Sequence, residues 1–268
     1  MPVSRIKDAF RRLEERKERA LIAYLTLGDP DPAASLELLT CLAEEVDLLE
    51  LGIPFSDPIA DGPTIQAAME RALSAGMTTE ESFQIAKGLR AGGVEIPLIF
   101  MTYYNIVLQY GVERFVERCA STGVDGLLVS DLPVEESEAL KEVCERHGVD
   151  LIFLIAPTTS EERMEEIVSR AGGFIYLVSL LGVTGERERL QERALEMVEK
   201  ALRHTGSLPL VVGFGISKRE HVEAIVRAGA QGVVVGSAFV RLVEEHGREA
   251  CSELRRLARD LKEGTRGP

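Results

Sequence analysis

The stretch that decides the fold is Glu50–Pro63, which reads ELGIPFSDPIADGP. It begins near the end of a mostly apolar run, Val46–Leu51, that has the composition of a buried strand and carries a carboxylate, Glu50, beside its last residue. A loop punctuated by prolines follows, and it delivers a second carboxylate, Asp61, just before a helical pattern begins. Loops that follow the strands of a barrel carry the chemistry of barrel enzymes, and two acids at one such edge can transfer protons. The stretch therefore predicts a strand–loop–helix unit with an acid–base site.

The same unit recurs along the whole chain. Short β-branched apolar runs alternate with longer amphipathic runs, and most of the short ones are continuous, as in strands buried on both faces of a parallel sheet. The predicted strands are Leu21–Thr26, Val46–Leu51, Pro97–Met101, Gly126–Ser130, Leu151–Leu154, Phe174–Val178, Leu210–Gly213 and Gly232–Val235. The helices predicted to follow them are Ala33–Glu45, Thr64–Ala75, Val112–Thr122, Val134–His147, Ser160–Arg170, Leu190–His204, Lys218–Ala228 and Ala238–Leu261.

Two more helices are predicted outside this alternation, Ser4–Arg16 at the start and Thr79–Ala91 in the widest gap between strands. The pattern continues without a compositional break, so it predicts an α/β fold formed by a single (β/α)8 TIM barrel domain over residues 1–268, with an additional N-terminal helix and an extra helix between strands 2 and 3. A doubly wound open sheet is the competing interpretation. Its first strand–helix turn should carry GxGxxG, whereas residues 27–32 read LGDPDP.

Composition restricts the partners and the compartment. The formal net charge of −13 argues against binding to a nucleic-acid backbone, which needs clustered Lys and Arg. No apolar run approaches the roughly 20 residues that a membrane span requires, and the start of the chain lacks an apolar signal core. A cytoplasmic location is therefore expected. The four cysteines, Cys41, Cys119, Cys144 and Cys251, show no CxxC spacing, which predicts reduced packing residues rather than a disulfide or a zinc site.

Small residues end the last two predicted strands. The chain reads GFGIS over residues 213–217 and GSA over residues 236–238, directly before a helix. Glycines let backbone amides approach an anion, and a helix N-terminus adds a favourable dipole. Each glycine alone could simply permit a tight turn. Because the two loops follow neighbouring strands, they predict a phosphate site, with residues 182–185 as a possible third side.

The residue types that are absent from the predicted strands restrict the reaction mechanisms that the chain could use. None of the seven lysines lies within a predicted strand, which argues against an imine-forming aldolase, and the four histidines fall in helices or at their ends, which argues against a metal centre. Carboxylates remain. Glu50 lies between leucines at a strand end, where it is costly unless paired or functional. Asp61 could instead be a turn or cap residue, and Asp57 and Asp131 are interpreted as structural.

Taken together, these motifs resemble the tryptophan synthase alpha subunit family. The resemblance runs from about Ile6 to the final helix, is most specific over Leu49–Gln66, and has further matches in residues 26–30, 182–185 and 213–217. It implies retro-aldol cleavage of indole-3-glycerol phosphate to indole and glyceraldehyde 3-phosphate. Glu50 would be the general acid–base and Asp61 would support it. Once its C3 is protonated, the indole ring serves as its own electron sink, so neither lysine nor metal is required.

The resemblance also implies the rest of the site. Substrate-binding residues would be Tyr24, Met101, Leu128, Ser130, Tyr176, Thr184, Phe214 and Val234, and the phosphate would be held by Gly185, Gly215, Gly236 and Ser237. The implied partner is the tryptophan synthase beta subunit, in an alpha2beta2 tetramer. That subunit would carry the pyridoxal phosphate, with no cofactor in this chain, and would receive indole. The residues of this chain that would contact the beta subunit are Phe55, Asp57, Tyr104 and Asn105, with Tyr103 beside the last two on the same rim loop.

Two further expectations concern motion and rival functions. The glycine-bounded start of Leu180–Gln191 predicts a lid that excludes water after the ligand has bound. The rivals are another phosphate-binding barrel, such as an indole-forming synthase or an isomerase, and a stand-alone indole-releasing lyase. A third rival is a barrel without turnover that only regulates its partner, and the presence of Glu50 and Asp61 argues against it.

Overall fold

A computed structural model describes residues 4–178, 187–213 and 215–266, with the backbone alone over residues 187–194. Its strands are β1 (Ala20–Thr26), β2 (Leu48–Gly52), β3 (Leu98–Thr102), β4 (Gly126–Val129), β5 (Asp150–Ile155), β6 (Ile175–Val178), β7 (Leu210–Gly213) and β8 (Gly232–Val235). Each strand pairs in parallel with the next, and β8 pairs with β1, which closes the barrel. The predicted fold is confirmed, and the predicted strands agree with the observed ones to within two residues at either end.

Helices surround the barrel. They are α1 (Arg5–Glu15), α2 (Pro32–Ala43), α3 (Pro63–Ser74), α4 (Thr79–Ala91), α5 (Tyr104–Tyr110), α6 (Val112–Thr122), α7 (Glu138–His147), α8 (Glu161–Arg170), α9 (Arg187–Leu202), α10 (Arg219–Arg227), α11 (Ser237–His246) and α12 (Cys251–Glu263). The N-terminal helix α1 and the extra helix α4 are confirmed. Among the helices of the described ranges, none has the length and apolar character that crossing a membrane would require.

The structure corrects the helix predictions at three places. The predicted helix Val134–His147 begins with a separate 3-10 turn, because the Ser137 hydroxyl donates to the Val134 carbonyl at 2.7 Å and closes that turn. The predicted helix Ala238–Leu261 is divided between α11 and α12, because Gly247 has a φ of +53° that ends α11. Helix α5, which follows β3 directly, was not predicted, since its seven residues are too short to show a periodic pattern.

Helix α1 covers the amino end of the barrel. Its Phe10 packs against Phe174 with the ring centroids 5.9 Å apart, and Ile6 is fully buried against the strands. Beside it, the Asp125 carboxylate accepts from Arg90 at 2.6 Å and from the Leu98 amide at 2.9 Å. Polar networks at this face of a barrel serve stability, and chemistry is found at the opposite face. The amino end is therefore a closed, structural end.

A disulfide joins α2 to α12, which contradicts the prediction of four reduced cysteines. Cys41 and Cys251 are bonded, with their Cα atoms 6.1 Å apart and 210 residues between them in sequence. The other two cysteines, Cys119 and Cys144, are free and buried, as predicted. The prediction failed because the spacing of cysteines in sequence does not reveal that the helix after β1 and the last helix of the chain lie side by side in a closed barrel.

Candidate active site

The pairing register places the predicted pocket residues on one face of the sheet. Tyr24 pairs with Glu50, Met101 pairs with Leu128, and the same face continues through β6 and β8. Side chains alternate between the two faces of a strand. The charge of Glu50 on β2 acts on Tyr176 on β6, across the barrel, so this face is the interior of the closed barrel. The residues that share it are Tyr24, Glu50, Met101, Leu128, Tyr176 and Val234. Ser130 follows directly after β4.

Glu50 is a buried carboxyl group on this inner face. Only 2% of the residue is exposed, and neither carboxyl oxygen has a hydrogen-bond partner among the described residues. Burial, and after it the nearby charge of Asp61, raises the pKa of Glu50 from 4.5 to about 8. A carboxyl group in such a setting is protonated at neutral pH and can act as an acid.

Asp61 approaches the same interior from the loop between β2 and α3. Its carboxylate accepts a hydrogen bond from the Tyr103 hydroxyl, with 2.6 Å between Oδ2 and Oη. Burial raises the pKa of Asp61, and the hydrogen bond from Tyr103 lowers it. The two acids thus have different surroundings, because one has a donor and the other has none in the part of the chain that the structure describes.

The loop that carries Asp61 is held by its own neighbours. The Gln66 side-chain amide donates to the carbonyl of Asp61 at 2.8 Å and to that of Pro58 at 3.2 Å. Helix α3 begins at Pro63, where the fixed φ of proline suits the first helical turn. The Arg71 guanidinium on α3 then binds the buried Asp29 carboxylate at 2.8 and 2.9 Å. Sequence reasoning missed this ion pair, although the LGDP motif that contains Asp29 was noted.

Two tyrosines cross the ends of strands where glycine leaves room for them. A Cβ atom on Gly52 would lie 2.2 Å from the Tyr24 hydroxyl, and one on Gly213 would lie 2.4 Å from the Tyr176 hydroxyl. Burial raises the pKa of Tyr176, and the charges of Glu50 and Asp61 raise it as well. Since β6 lies across the barrel from β2, this coupling places the tyrosine ring opposite the two acids.

The described part of the predicted phosphate site lies at the ends of β7 and β8. Gly236 precedes the ten-residue helix α11, and Ser237 is its first residue. A Cβ atom on Gly215 would meet nothing within 4 Å, so the backbone there is open to a ligand. Thr184, Gly185 and Phe214 lie outside the described residues, as does the first half of the predicted lid.

The predicted partner-facing residues lie on the rim, with one exception. Asp57 and Asn105 are exposed, and Phe55 and Tyr104 are half-buried. Tyr103 is buried instead, at 2% exposure, and its hydroxyl points to Asp61. Asp131 accepts from the Tyr104 backbone amide at 2.7 Å, in line with its structural interpretation. The same rim also carries Ile59, which is 86% exposed and was not among the predicted contacts.

A closed (β/α)8 barrel with two buried carboxyl groups toward the carboxyl end of its strands has the architecture of a barrel enzyme. Comparison with known proteins identifies the family, because the sequence-family model of the tryptophan synthase alpha chain matches residues 10–266. The chain belongs to the tryptophan synthase alpha chain family.

Relatives and solved structures agree with this assignment. The chain is 50% identical to the tryptophan synthase alpha chain of Methanosarcina barkeri over 265 residues, which is 98% of each chain. Its structure is similar to a chain of the tryptophan synthase complex from Pyrococcus furiosus, with a TM-score of 0.85 and 43% identity over 91% of this chain and 98% of that one. It is also similar to a chain of tryptophan synthase from M. tuberculosis, with a TM-score of 0.89 and 34% identity over 99% of this chain and 100% of that one.

Proposed function

We propose that this chain cleaves indole-3-glycerol phosphate to indole and glyceraldehyde 3-phosphate by carboxylate acid–base catalysis. The observation that carries the proposal is Glu50, which is buried, without a hydrogen-bond partner among the described residues, and has its pKa raised to about 8. Such a group holds a proton at neutral pH, and it lies close enough to Asp61 for the charge of Asp61 to raise its pKa. Family membership supports the choice of substrate.

In the proposed reaction Glu50 gives its proton to C3 of the indole ring, which places positive charge on the ring nitrogen. Asp61 accepts a hydrogen bond from the ring N–H and stabilises that charge. The Glu50 carboxylate then takes the proton from the glycerol hydroxyl next to the ring. The oxygen forms a carbonyl group, the carbon–carbon bond to C3 breaks, and its electron pair restores the aromatic ring. Glu50 therefore gives one proton to C3 and takes one proton from the hydroxyl group, and it ends the reaction protonated as it began.

The interior of the barrel suits a flat apolar ring. Met101, Leu128 and Val234 provide apolar surface on the inner face, and Tyr24 and Tyr176 lie across the strand ends. We assign the phosphate to the amides of Gly185, Gly215, Gly236 and Ser237, with Ser130, Thr184 and Phe214 completing the substrate contacts. Backbone amides beside a helix N-terminus bind phosphate without a cationic side chain, which is compatible with a net charge of −13.

The test is indole release from indole-3-glycerol phosphate by the purified chain. Because positioned proton transfer contributes roughly 10²- to 10⁴-fold, Glu50→Gln should lower kcat by about that factor and retain substrate binding. The matched control is Glu80→Gln, which changes an exposed glutamate on α4 that binds Arg118 and Tyr110. Full turnover by Glu50→Gln would contradict the proposal, and release of a different product would favour another phosphate-binding barrel.

We further propose that the chain works with a tryptophan synthase beta subunit in an alpha2beta2 tetramer. A similar structure from Pyrococcus furiosus is described as showing the mutual activation of such an a2b2 complex. The rim residues Phe55, Asp57, Tyr104 and Asn105 would form the contact, together with the exposed Ile59. Size-exclusion chromatography of the chain mixed with a beta subunit tests whether this complex forms. Activity that is unchanged by the partner would favour a stand-alone lyase, and a partner stimulated by a chain without turnover would favour a purely regulatory barrel.

The pyridoxal phosphate of that assembly would belong to the beta subunit. Every lysine in this chain lies in a described helix, turn or cap, and none lies on a strand where it could form an imine inside the barrel. The chain purified alone should therefore be colourless.

A cytoplasmic location is part of the same proposal. Disulfides are rare in the cytoplasm of mesophiles but are common in intracellular proteins of hyperthermophiles. The Cys41–Cys251 bond is therefore compatible with an intracellular enzyme from a hot environment. Cell fractionation of the native host would test the location.

A further inference from the structure

One hydroxyl group makes two hydrogen bonds to the loop that carries Asp61. The Tyr103 oxygen accepts from the Ala60 amide at 3.1 Å and is 2.6 Å from Asp61 Oδ2. A phenol has a single proton to donate. Because an amide can only donate and a carboxylate accepts, the Tyr103 proton is committed to Asp61. One side chain from the end of β3 therefore fixes both the backbone and the carboxylate of this loop.

The Tyr103 ring is itself held firmly. It is 2% exposed and stacks on Phe55, with 4.8 Å between the ring centroids and 26° between the planes. Phe55 lies at the start of the same loop, so the ring contacts both ends of the segment 55–61. Among the described residues, Tyr103 is the only side chain that donates to the Asp61 carboxylate. With Oδ2 engaged in this way, Oδ1 remains available to a ligand.

We propose that Tyr103 is a positioning residue, which orients the Asp61 carboxylate so that its second oxygen accepts the indole N–H. The inference rests on the proposed function, because it assigns a geometric requirement to that reaction. A carboxylate on a loop needs such support, since misplacement by a fraction of an ångström weakens the stabilisation of a developing charge. The same hydrogen bond favours the ionised form of Asp61, which is the form that accepts from a ring N–H.

Tyr103→Phe isolates this role, because it keeps the ring and its stacking on Phe55 and removes only the hydroxyl. Hydrogen bonds to charged groups correspond to roughly a tenfold to hundredfold effect, so we expect kcat for indole release to fall by about that factor, with a smaller change in KM. The acidic limb of the pH profile of kcat/KM should move to higher pH, because the pKa of Asp61 rises when the donor is removed. A merely structural role would not move this limb.

The matched control is Tyr110→Phe at the far end of α5, the helix that begins directly after Tyr103. Its hydroxyl also bonds a carboxylate, Glu80, at 2.9 Å, and its ring also packs on aromatic neighbours, but it lies away from the loop. This variant should keep the wild-type kcat and pH profile. A double-mutant comparison adds a second control: if Tyr103 acts through Asp61, Tyr103→Phe should cost much less in an Asp61→Asn background. An equal cost in both backgrounds would overturn the proposal.

A measurement without turnover separates this proposal from the proposed function. Carbon-13 NMR of the labelled carboxyl groups, with Asp61→Asn to assign the resonance, should show Asp61 titrating at higher pH in Tyr103→Phe than in the wild type. An identical titration would overturn the positioning role. A wild-type chain that releases no indole would contradict the proposed function, and the titration would still decide whether Tyr103 holds Asp61.

Discussion

Replacing Glu50 with glutamine should stabilise the protein and do so more strongly as the pH rises. The folded chain keeps the Glu50 proton up to a pKa of about 8, whereas the unfolded chain releases it near 4.5. The folded state therefore binds more protons than the unfolded state between these values. The sign follows from proton linkage: the free energy of unfolding is not reduced by this residue below about pH 4.5 and falls as the pH rises toward 8. Glutamine has no proton to release and avoids this cost.

The magnitude follows from the two pKa values. Their difference, at about 1.36 kcal/mol for each pH unit, corresponds to a cost of roughly 5 kcal/mol when Glu50 is fully ionised. By the same relation the cost at pH 6 is about 2 kcal/mol. The free energy of unfolding of Glu50→Gln minus that of the wild type should thus increase by roughly 2–3 kcal/mol between pH 6 and pH 9.

Urea unfolding of both proteins at pH 6, 7.5 and 9 measures this difference directly. Groups that titrate equally in the two proteins cancel, so only the change at Glu50 remains. Glu80→Gln, which alters an exposed glutamate, should stay within about 0.5 kcal/mol of the wild type throughout. A difference that is flat from pH 6 to pH 9 would show that Glu50 keeps an ordinary pKa. The group would then be ionised at neutral pH, and its assignment as the acid would fail.

Two further predictions concern the packing of the barrel. Cys41→Ala removes the bond to Cys251, which closes a loop of 210 residues; the chain-entropy relation gives about 5 kcal/mol for such a loop, and measured losses run to roughly 2–5 kcal/mol. Thermal unfolding should show this loss of stability. A reductant should cause the same loss in the wild type and none in the variant. Four free thiols in the denatured, unreduced wild type would show that the disulfide is absent and would contradict the prediction. Gly52→Ala places a methyl group 2.2 Å from the Tyr24 hydroxyl and should cost roughly 1–3 kcal/mol, whereas Gly62→Ala, which meets nothing within 4 Å, should cost less; equal effects in urea unfolding would refute the clash.

The sequence predicts the barrel well because parallel strands buried on both faces leave an unmistakable pattern. An apolar run occurs at each strand and is continuous in most of them, as in β8, and the helices between them are long enough to show a 3.6-residue period. Shorter features of the fold were not predicted from the sequence. Helix α5 has seven residues, and the break at Gly247 depends on a backbone angle that a glycine permits but does not require. Local patterns specify the larger elements, and the interruptions depend on tertiary contacts.

The candidate site was predictable to a similar extent. Glu50 could be identified because a carboxylate between leucines has few structural explanations, and Asp61 because it lies in the loop that follows the same strand. Tyr103 could not, since two adjacent tyrosines give no indication of which ring turns inward and which faces the rim. Arg71 and Asp29 are 42 residues apart, and the disulfide partners are 210 apart. Pairings at such distances are decided by the closure of the barrel rather than by any local motif.

The bond between Cys41 and Cys251 turns most of the polypeptide into a covalent ring. A protease that cuts any single loop between these two positions would leave one connected molecule, and the pieces would separate on an electrophoresis gel only after reduction. Mechanical tension applied to the two termini would unfold only the segments outside the ring, because the disulfide transmits the force directly from Cys41 to Cys251. A molecule joined in this way stays in one piece after a single cut at any point of the backbone between the two cysteines.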